Sequence, residues 1–211
     1  MDETIESYAV KNLAQKSATS DPFSLERYAQ FAKYLPKKAK EVLDIGCAEG
    51  RGGAHLMSLR PDLILSGLDC VEERLDKLPG CYTHKVQGLT NQIPLPDKSM
   101  DAVLAGEFLE HLYPADVDPT LCQFQRILRI GGMLLMTTPN PHSLKMRFKG
   151  GTVYGTAHLT QHDPKCLKIR LIQHGFSRVR ILGSGAASRY FGDHFPYLSV
   201  YGSYLVTALK I

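Results

Sequence analysis

The chain reads as an α/β protein with a doubly wound, largely parallel sheet, and three observations predict it. From Glu41 onward, short apolar runs (EVLDI, LILSGLD, YTHKVQ, MDAVLA, GGMLLMTT) alternate with stretches of helical periodicity (GGAHLMSL, VEERLDKL, TLCQFQRIL). The apolar runs lack a strict in–out alternation, which is how strands covered on both faces read, and the helical stretches suit crossover connections. The first run ends in an acid and a glycine-bearing turn, VLDIGCAEG over residues 42–50, where open α/β sheets bind their ligands. With 211 residues, 44% hydrophobic and 22% charged, one elaborated domain spanning 1–211 is expected, with N-terminal helices over 1–40 and a core over 41–211.

Ahead of the core, Ile5, Tyr8, Ala9 and Leu13 recur at helical spacing. A second helix is expected from Asp21 as N-cap and Pro22 at its first position, with an apolar face of Leu25, Tyr28, Ala29, Ala32 and Leu35 ended by Pro36. After the run GGMLLMTT the pattern changes. A long connection over about 139–162 precedes a helix capped by Asp163-Pro164 and stopped at Gly175, followed by strands SRVRIL and SYLVTALKI. Between those strands lies a second long segment, 183–202, rich in aromatics at Tyr190, Phe191, Phe195, Tyr197 and Tyr201. Both long segments are expected to act as lids. Lys145, Arg147 and Lys149 alternate with Met146 and Phe148 and would present one basic face if extended.

The +4 net charge is too diffuse to indicate nucleic-acid binding, and the acidic start MDETIESYAV together with the lack of a long apolar run predicts a cytoplasmic protein without membrane insertion. Five scattered cysteines with no C-x-x-C pair disfavour a zinc ribbon or disulfide scaffold. His55, His84, His174 and His194 are expected to be surface or hydrogen-bonded structural residues.

Within the turn, Gly46 permits a tight backbone and close ligand approach, and Asp44 precedes it. Asp69 ends the next strand, where a carboxylate can accept both hydroxyls of a ribose. The G-x-G-x-x-G pattern of a nicotinamide-binding loop is not met, and an acid at Asp44 suits a cationic amino-acid tail better than a pyrophosphate.

On these residues the sequence resembles the class I S-adenosylmethionine-dependent methyltransferases over residues 41–211. The resemblance implies a Rossmann-like, seven-stranded sheet with SYLVTALKI as an antiparallel seventh strand between the fifth and sixth. It also implies S-adenosylmethionine as cofactor, with Asp44, Gly46, Cys47 and Gly50 matching the first motif and Asp69 the second. Cys70 would lie beside the adenine, and Gly88 and Leu89 would flank it. Two positions depart from the family pattern: Ala48, where many members have glycine, and Leu89, where an acid often binds the adenine amino group.

After the fourth strand, GEFLEHL sets Glu107, Glu110 and His111 in an E-x-x-E-H spacing. A helical turn there would bring them onto one face, with His158 available from the long loop. The arrangement resembles that of ubiquinone-biosynthesis O-methyltransferases and of small-RNA 3'-terminal 2'-O-methyltransferases, which implies a divalent metal on Glu107, Glu110, His111 and His158. A metal-free site, with His111 as general base beside Glu107, fits the same residues. The expected activity is methyl transfer to an oxygen of a small-molecule acceptor. An RNA 3'-end methyltransferase and a non-catalytic cofactor-binding module are the alternatives, and the sequence leaves the oligomeric state open.

Overall fold

The computed structural model describes residues 7–10, 21, 23–148, 150–155 and 157–211. Seven strands form one sheet: β1 (Glu41–Ile45), β2 (Ile64–Asp69), β3 (Tyr82–Gln87), β4 (Met100–Gly106), β5 (Leu128–Pro139), β6 (Phe176–Ser184) and β7 (Ser203–Lys210). Their spatial order is β3-β2-β1-β4-β5-β7-β6. The first five are parallel, and β7 runs antiparallel to both β5 and β6, as the resemblance implies. The strand order reverses between β1 and β4, and the crevice outside their carboxyl ends is where such sheets bind ligands.

Helices cover both faces. Preceding β1 is α1 (Ser24–Tyr34), and the crossovers carry α2 (Arg51–Leu59), α3 (Glu72–Asp76) and α4 (Pro114–Ile127). The β5–β6 connection holds the short α5 (Leu144–Phe148) and then α6 (Pro164–Gln173), and α7 (Ser188–Phe191) follows β6. One core layer gathers Leu43, Ile45 and Val103 with Leu121 and Phe124 of α4 and Leu167 and Leu171 of α6. The opposite layer gathers Val42, Leu104 and Leu135 with Tyr28 and Phe31 of α1 and Leu56 of α2. Side chains alternate along a strand, so Val42 and Asp44 share the α1/α2 face, whereas Leu43 and Ile45 face α4 and α6.

Several element boundaries differ from expectation. Only residues 7–10 of the first N-terminal helix are described, as one helical turn, and Ile5 and Leu13 lie outside the described residues. α1 starts at Ser24, not after Asp21; the Asp21 carboxylate accepts the Phe23 amide at 2.9 Å in a turn ahead of the helix, and Pro22 lies outside the described residues. Leu25 is exposed, while Arg27 is buried on the face expected to be apolar. Residues 144–148 are helical, which points Lys145 and Arg147 in different directions and dissolves the expected basic face; Lys149 lies outside the described residues. Asp163 caps α6 as predicted, its carboxylate accepting the amides of Lys165 and Cys166 at 2.8 and 2.9 Å. Among the described residues no helix is long and apolar enough to cross a membrane.

Candidate functional site

A cavity of about 650 Å³ opens over the carboxyl ends of β1, β2 and β4. Its wall includes Gly46, Cys47, Asp69, Cys70, Gly88, Leu89, Glu107, His111 and His158. Of the residues expected to contact a cofactor, Asp44 and Gly50 do not line it.

Asp44 is fully buried beneath the glycine turn on the α1/α2 side, where its two carboxylate oxygens accept the hydroxyls of Tyr28 at 2.5 Å and Tyr82 at 2.6 Å. Asp44 thus lies beneath the cavity and not in its wall, and strand alternation is the cause: the odd-numbered neighbours take the other face. Gly50 is likewise outside the cavity wall; a Cβ there would meet Pro79, Leu78 and Tyr82, a packing contact that seats α2 against the sheet. Burial raises the Asp44 carboxyl to about 6, against the lowering effect of its two tyrosine hydrogen bonds. A folded-state value above the unfolded one means that this carboxyl contributes stability below about pH 4 that is lost as pH rises through 6. The stability of the native chain relative to Asp44→Asn should fall by about 3 kcal/mol between pH 4 and 7 in urea unfolding, and a pH-independent difference would exclude this account.

The turn itself is shaped by close approach. Gly46 has φ +61, and a Cβ there would lie 2.7 Å from the Phe108 ring. Ala48 has φ +50, the left-handed geometry that a glycine would adopt freely and that costs an alanine about 1 kcal/mol. It is held by its amide, which donates to Asp69 Oδ2 at 3.0 Å. Asp69 Oδ1 accepts the Val71 amide at 3.0 Å, so this carboxylate ties the turn after β1 to the turn after β2. Cys47 lines the cavity, yet its sulfur packs against Gly67, and burial beside Asp44 and Asp69 keeps its thiol protonated. Cys70 also lines the cavity, with burial pushing its thiol to about 12. The loop holding Gly88 and Leu89 hangs from β2 through the Gly88 amide on the Asp69 carbonyl.

At the opposite end of the cavity the expected constellation is only partly assembled. Residues Leu109–His111 form a single 3-10 turn, and Glu107 precedes it in left-handed geometry, φ +51. Glu107 consequently turns toward Ser203, whose hydroxyl donates to its Oε2 at 3.3 Å, and toward Arg27, whose Nε lies 3.8 Å from Oε1. The structure does not gather Glu107 with the other three expected ligands. Ligand atoms of Glu110, His111 and His158 do converge, all within 4.8 Å of one another. Both histidines engage backbone carbonyls through Nδ1, His111 with Ala157 at 2.8 Å and His158 with Val153 at 2.9 Å, which directs the Nε2 atoms elsewhere. Glu110 is wholly buried, bonded through Oε2 to Thr138, and its Oε1 has no hydrogen-bond partner among the described residues. Burial, with Glu107 close by, raises the Glu110 carboxyl well above the ordinary range. Burial also lowers His111 to about 4, so it is neutral at physiological pH and a weak base.

The long segments are pinned near the cavity. The amides of Leu159 and Thr160 donate to the Glu110 carbonyl, which sets His158 beside His111 with ring centroids 5.0 Å apart. In the second segment, Asp193 pairs with Lys33 and Tyr34 of α1, Tyr201 is buried, and Tyr190, Phe191 and Tyr197 are exposed. Sequence reasoning missed Arg27, buried with no hydrogen bond at its Nε, and the polar set of Tyr8, Asn91 and Asp116, in which Asp116 accepts from the other two at 2.6 and 2.7 Å. Arg27, Tyr8, Asn91 and Asp116 all line the cavity, and none carries a motif signal.

A methyltransferase-domain family matches residues 43–136, the stretch that builds β1 to β5 and the glycine turn. Over that stretch the chain is similar to S-adenosylmethionine-dependent methyltransferases. Similar proteins include the fatty-acid O-methyltransferase of Mycolicibacterium smegmatis, 34% identical over 56% of this chain and 44% of that protein. Another is the malonyl-[acyl-carrier protein] O-methyltransferase of Laribacter hongkongensis, 28% identical over 64% of this chain and 50% of that protein. The chain spans about half the length of the curated relatives it matches. Among solved structures, a SAM-dependent methyltransferase from Archaeoglobus fulgidus superposes with a TM-score of 0.70 at 22% identity, covering 88% of this chain and 92% of that one, which shows a shared fold.

Proposed function

We propose that this chain transfers the methyl group of S-adenosylmethionine to an oxygen of a small-molecule acceptor, and that the oxygen belongs to a carboxylate. The observation that carries the reading is one continuous cavity running from the glycine turn and Asp69 to His111 and His158. Asp69 retains lone pairs for the ribose hydroxyls, Cys70 and Leu89 offer apolar contact to the adenine, and Asn91 with Asp116 supplies the polar acceptors that Leu89 lacks. Arg27 and Glu107, which line the cavity beside Gly46 and each have a buried atom without a hydrogen-bond partner, are the charged groups that would face the carboxylate and ammonium of the methionine tail.

In the transfer, the acceptor oxygen attacks the methyl carbon in line with the carbon–sulfur bond, which breaks and leaves neutral S-adenosylhomocysteine. Alignment of the two reactants supplies much of the acceleration. An ionised carboxylate carries no proton to remove, which suits a cavity in which burial lowers His111 to about 4 and leaves it a weak base. Two relatives are named for acid substrates, a fatty acid and a malonyl group, in keeping with such an acceptor.

A second reading, favoured by the converging Glu110, His111 and His158, is a divalent ion held by these three residues. Two imidazoles and one carboxylate suit Mn²⁺, Fe²⁺, Co²⁺ or Zn²⁺ better than Mg²⁺. Such an ion would acidify an acceptor hydroxyl, making an ether the product. The test is transfer of isotopically labelled methyl from the cofactor to a panel of carboxylic acids, phenols and vicinal diols, with and without chelator. The expected product is an alkali-labile methyl ester formed equally with chelator present. An alkali-stable ether that requires added metal and is lost in Glu110→Ala overturns the carboxylate reading in favour of the metal, and no transfer to any acceptor overturns both.

A further inference from the structure

On the face of the molecule formed by α4 and α6, away from the cavity, Cys122, His174 and Asp118 form a continuous chain of contacts. The Cys122 thiol is exposed, and its sulfur lies 3.4 Å from Nδ1 of His174, the residue that closes α6. The other ring nitrogen, Nε2, lies 2.8 Å from Asp118 Oδ1, one helical turn before Cys122 on α4. Arg170, one turn before His174, donates Nε and Nη2 to the two Asp118 oxygens at 2.7 and 3.0 Å. That fork, with His174 second, holds the Asp118 carboxyl ionised down to about pH 2. An ionised Asp118 fixes the imidazole proton on Nε2, which leaves Nδ1 as an acceptor facing the thiol.

We propose that Cys122, His174 and Asp118 act as nucleophile, base and orienting group, making Cys122 a covalent modification site for α,β-unsaturated carbonyl compounds. The geometry matches the general pattern of an activated nucleophile: a thiol within reach of a base that a third group holds in one tautomer. In the addition, the Cys122 sulfur bonds to the β-carbon as its proton passes to His174 Nδ1. The carbon–carbon π pair moves onto the α-carbon, which then takes the proton back from Nδ1. Sulfur and α-carbon end neutral, the imidazole is regenerated, and no further reactant is consumed. None of the three residues lines the cavity, so the proposal stands apart from methyl transfer.

The chain contains its own reference. Cys166, at the start of α6, is exposed like Cys122, and among the described residues no histidine is hydrogen-bonded to its thiol. The experiment treats the folded full chain with acrylamide at neutral pH and follows each cysteine by peptide mass spectrometry. Cys122 is expected to react about tenfold faster than Cys166, below the usual hundredfold or more of general-base assistance because the site is exposed to water. His174→Gln and Asp118→Asn should each remove most of that advantage while leaving the Cys166 rate unchanged, and denaturant should make the two wild-type rates converge. If His174→Gln unfolds the chain, buried Cys47 becomes reactive and reports it; the Asp118→Asn variant then decides. Equal native rates at Cys122 and Cys166, or an advantage that survives both substitutions, would show that His174 and Asp118 only staple α4 to α6.

Discussion

Gly53→Ala is expected to lower the unfolding free energy by about 3 kcal/mol, although alanine is the better helix former by about 1 kcal/mol. Gly53 lies inside α2, and a Cβ there would sit 1.9 Å from the Tyr82 hydroxyl oxygen and 2.9 Å from Leu65. Tyr82 is a buried ring held between β3 and the helix, so accommodation requires it to move, at about 1–3 kcal/mol for overpacking. Its hydroxyl is also one of the two donors to Asp44, and losing that bond leaves a buried carboxyl undersatisfied for about a further 1–3 kcal/mol. These costs outweigh the propensity gain. The measurement is urea unfolding of the two proteins at pH 7; a variant as stable as the parent would mean that Tyr82 has room to retreat.

Asp69→Ala should weaken S-adenosylhomocysteine binding by about 100-fold, since hydrogen bonds to a charged group contribute about 1.5–3 kcal/mol and this carboxylate serves both ligand and loop. Its removal takes away the proposed ribose acceptor and frees the Ala48 and Val71 amides that hold the two flanking turns. The comparison that separates the two ends of the cavity uses methylthioadenosine, which has the nucleoside without the amino-acid tail. Asp69→Ala should weaken both ligands in calorimetry, whereas Arg27→Met should weaken S-adenosylhomocysteine alone. Equal losses for both ligands in Arg27→Met would place the tail elsewhere.

Much of the fold is readable in the primary structure because its signals are local. Non-alternating apolar runs mark the parallel strands, and the acid–glycine turn after EVLDI marks the crevice where Asp69, Gly46 and Leu89 meet. What was not readable depended on face and direction. Asp44 stands at the strand end, as expected, but the two-residue period of the pleat sends it under the turn to Tyr28 and Tyr82. The E-x-x-E-H spacing suggests a helical face, yet the left-handed backbone at Glu107 breaks the register and separates it from Glu110, His111 and His158. Arg27 gave no signal because a single cation on an amphipathic helix reads as solvated surface; only the packing of α1 against Gly106 at the end of β4 buries it.

The interposed strand β7 has a consequence for how the chain is made. Leu135 of β5 pairs with Thr207, which follows it by about 70 residues, and β6 reaches the sheet only through β7. At ribosomal speeds of about 5–20 residues per second, the nascent chain carries β5 as an open sheet edge for roughly 4 to 14 seconds before its neighbour emerges. During that interval the row Leu134, Leu135 and Met136, wholly buried in the finished protein, has an unpaired backbone flank able to accept a foreign strand. Chains stalled before residue 203 are therefore expected to aggregate more readily than chains released after β7 has been made, a difference that sedimentation of the stalled nascent chains measures.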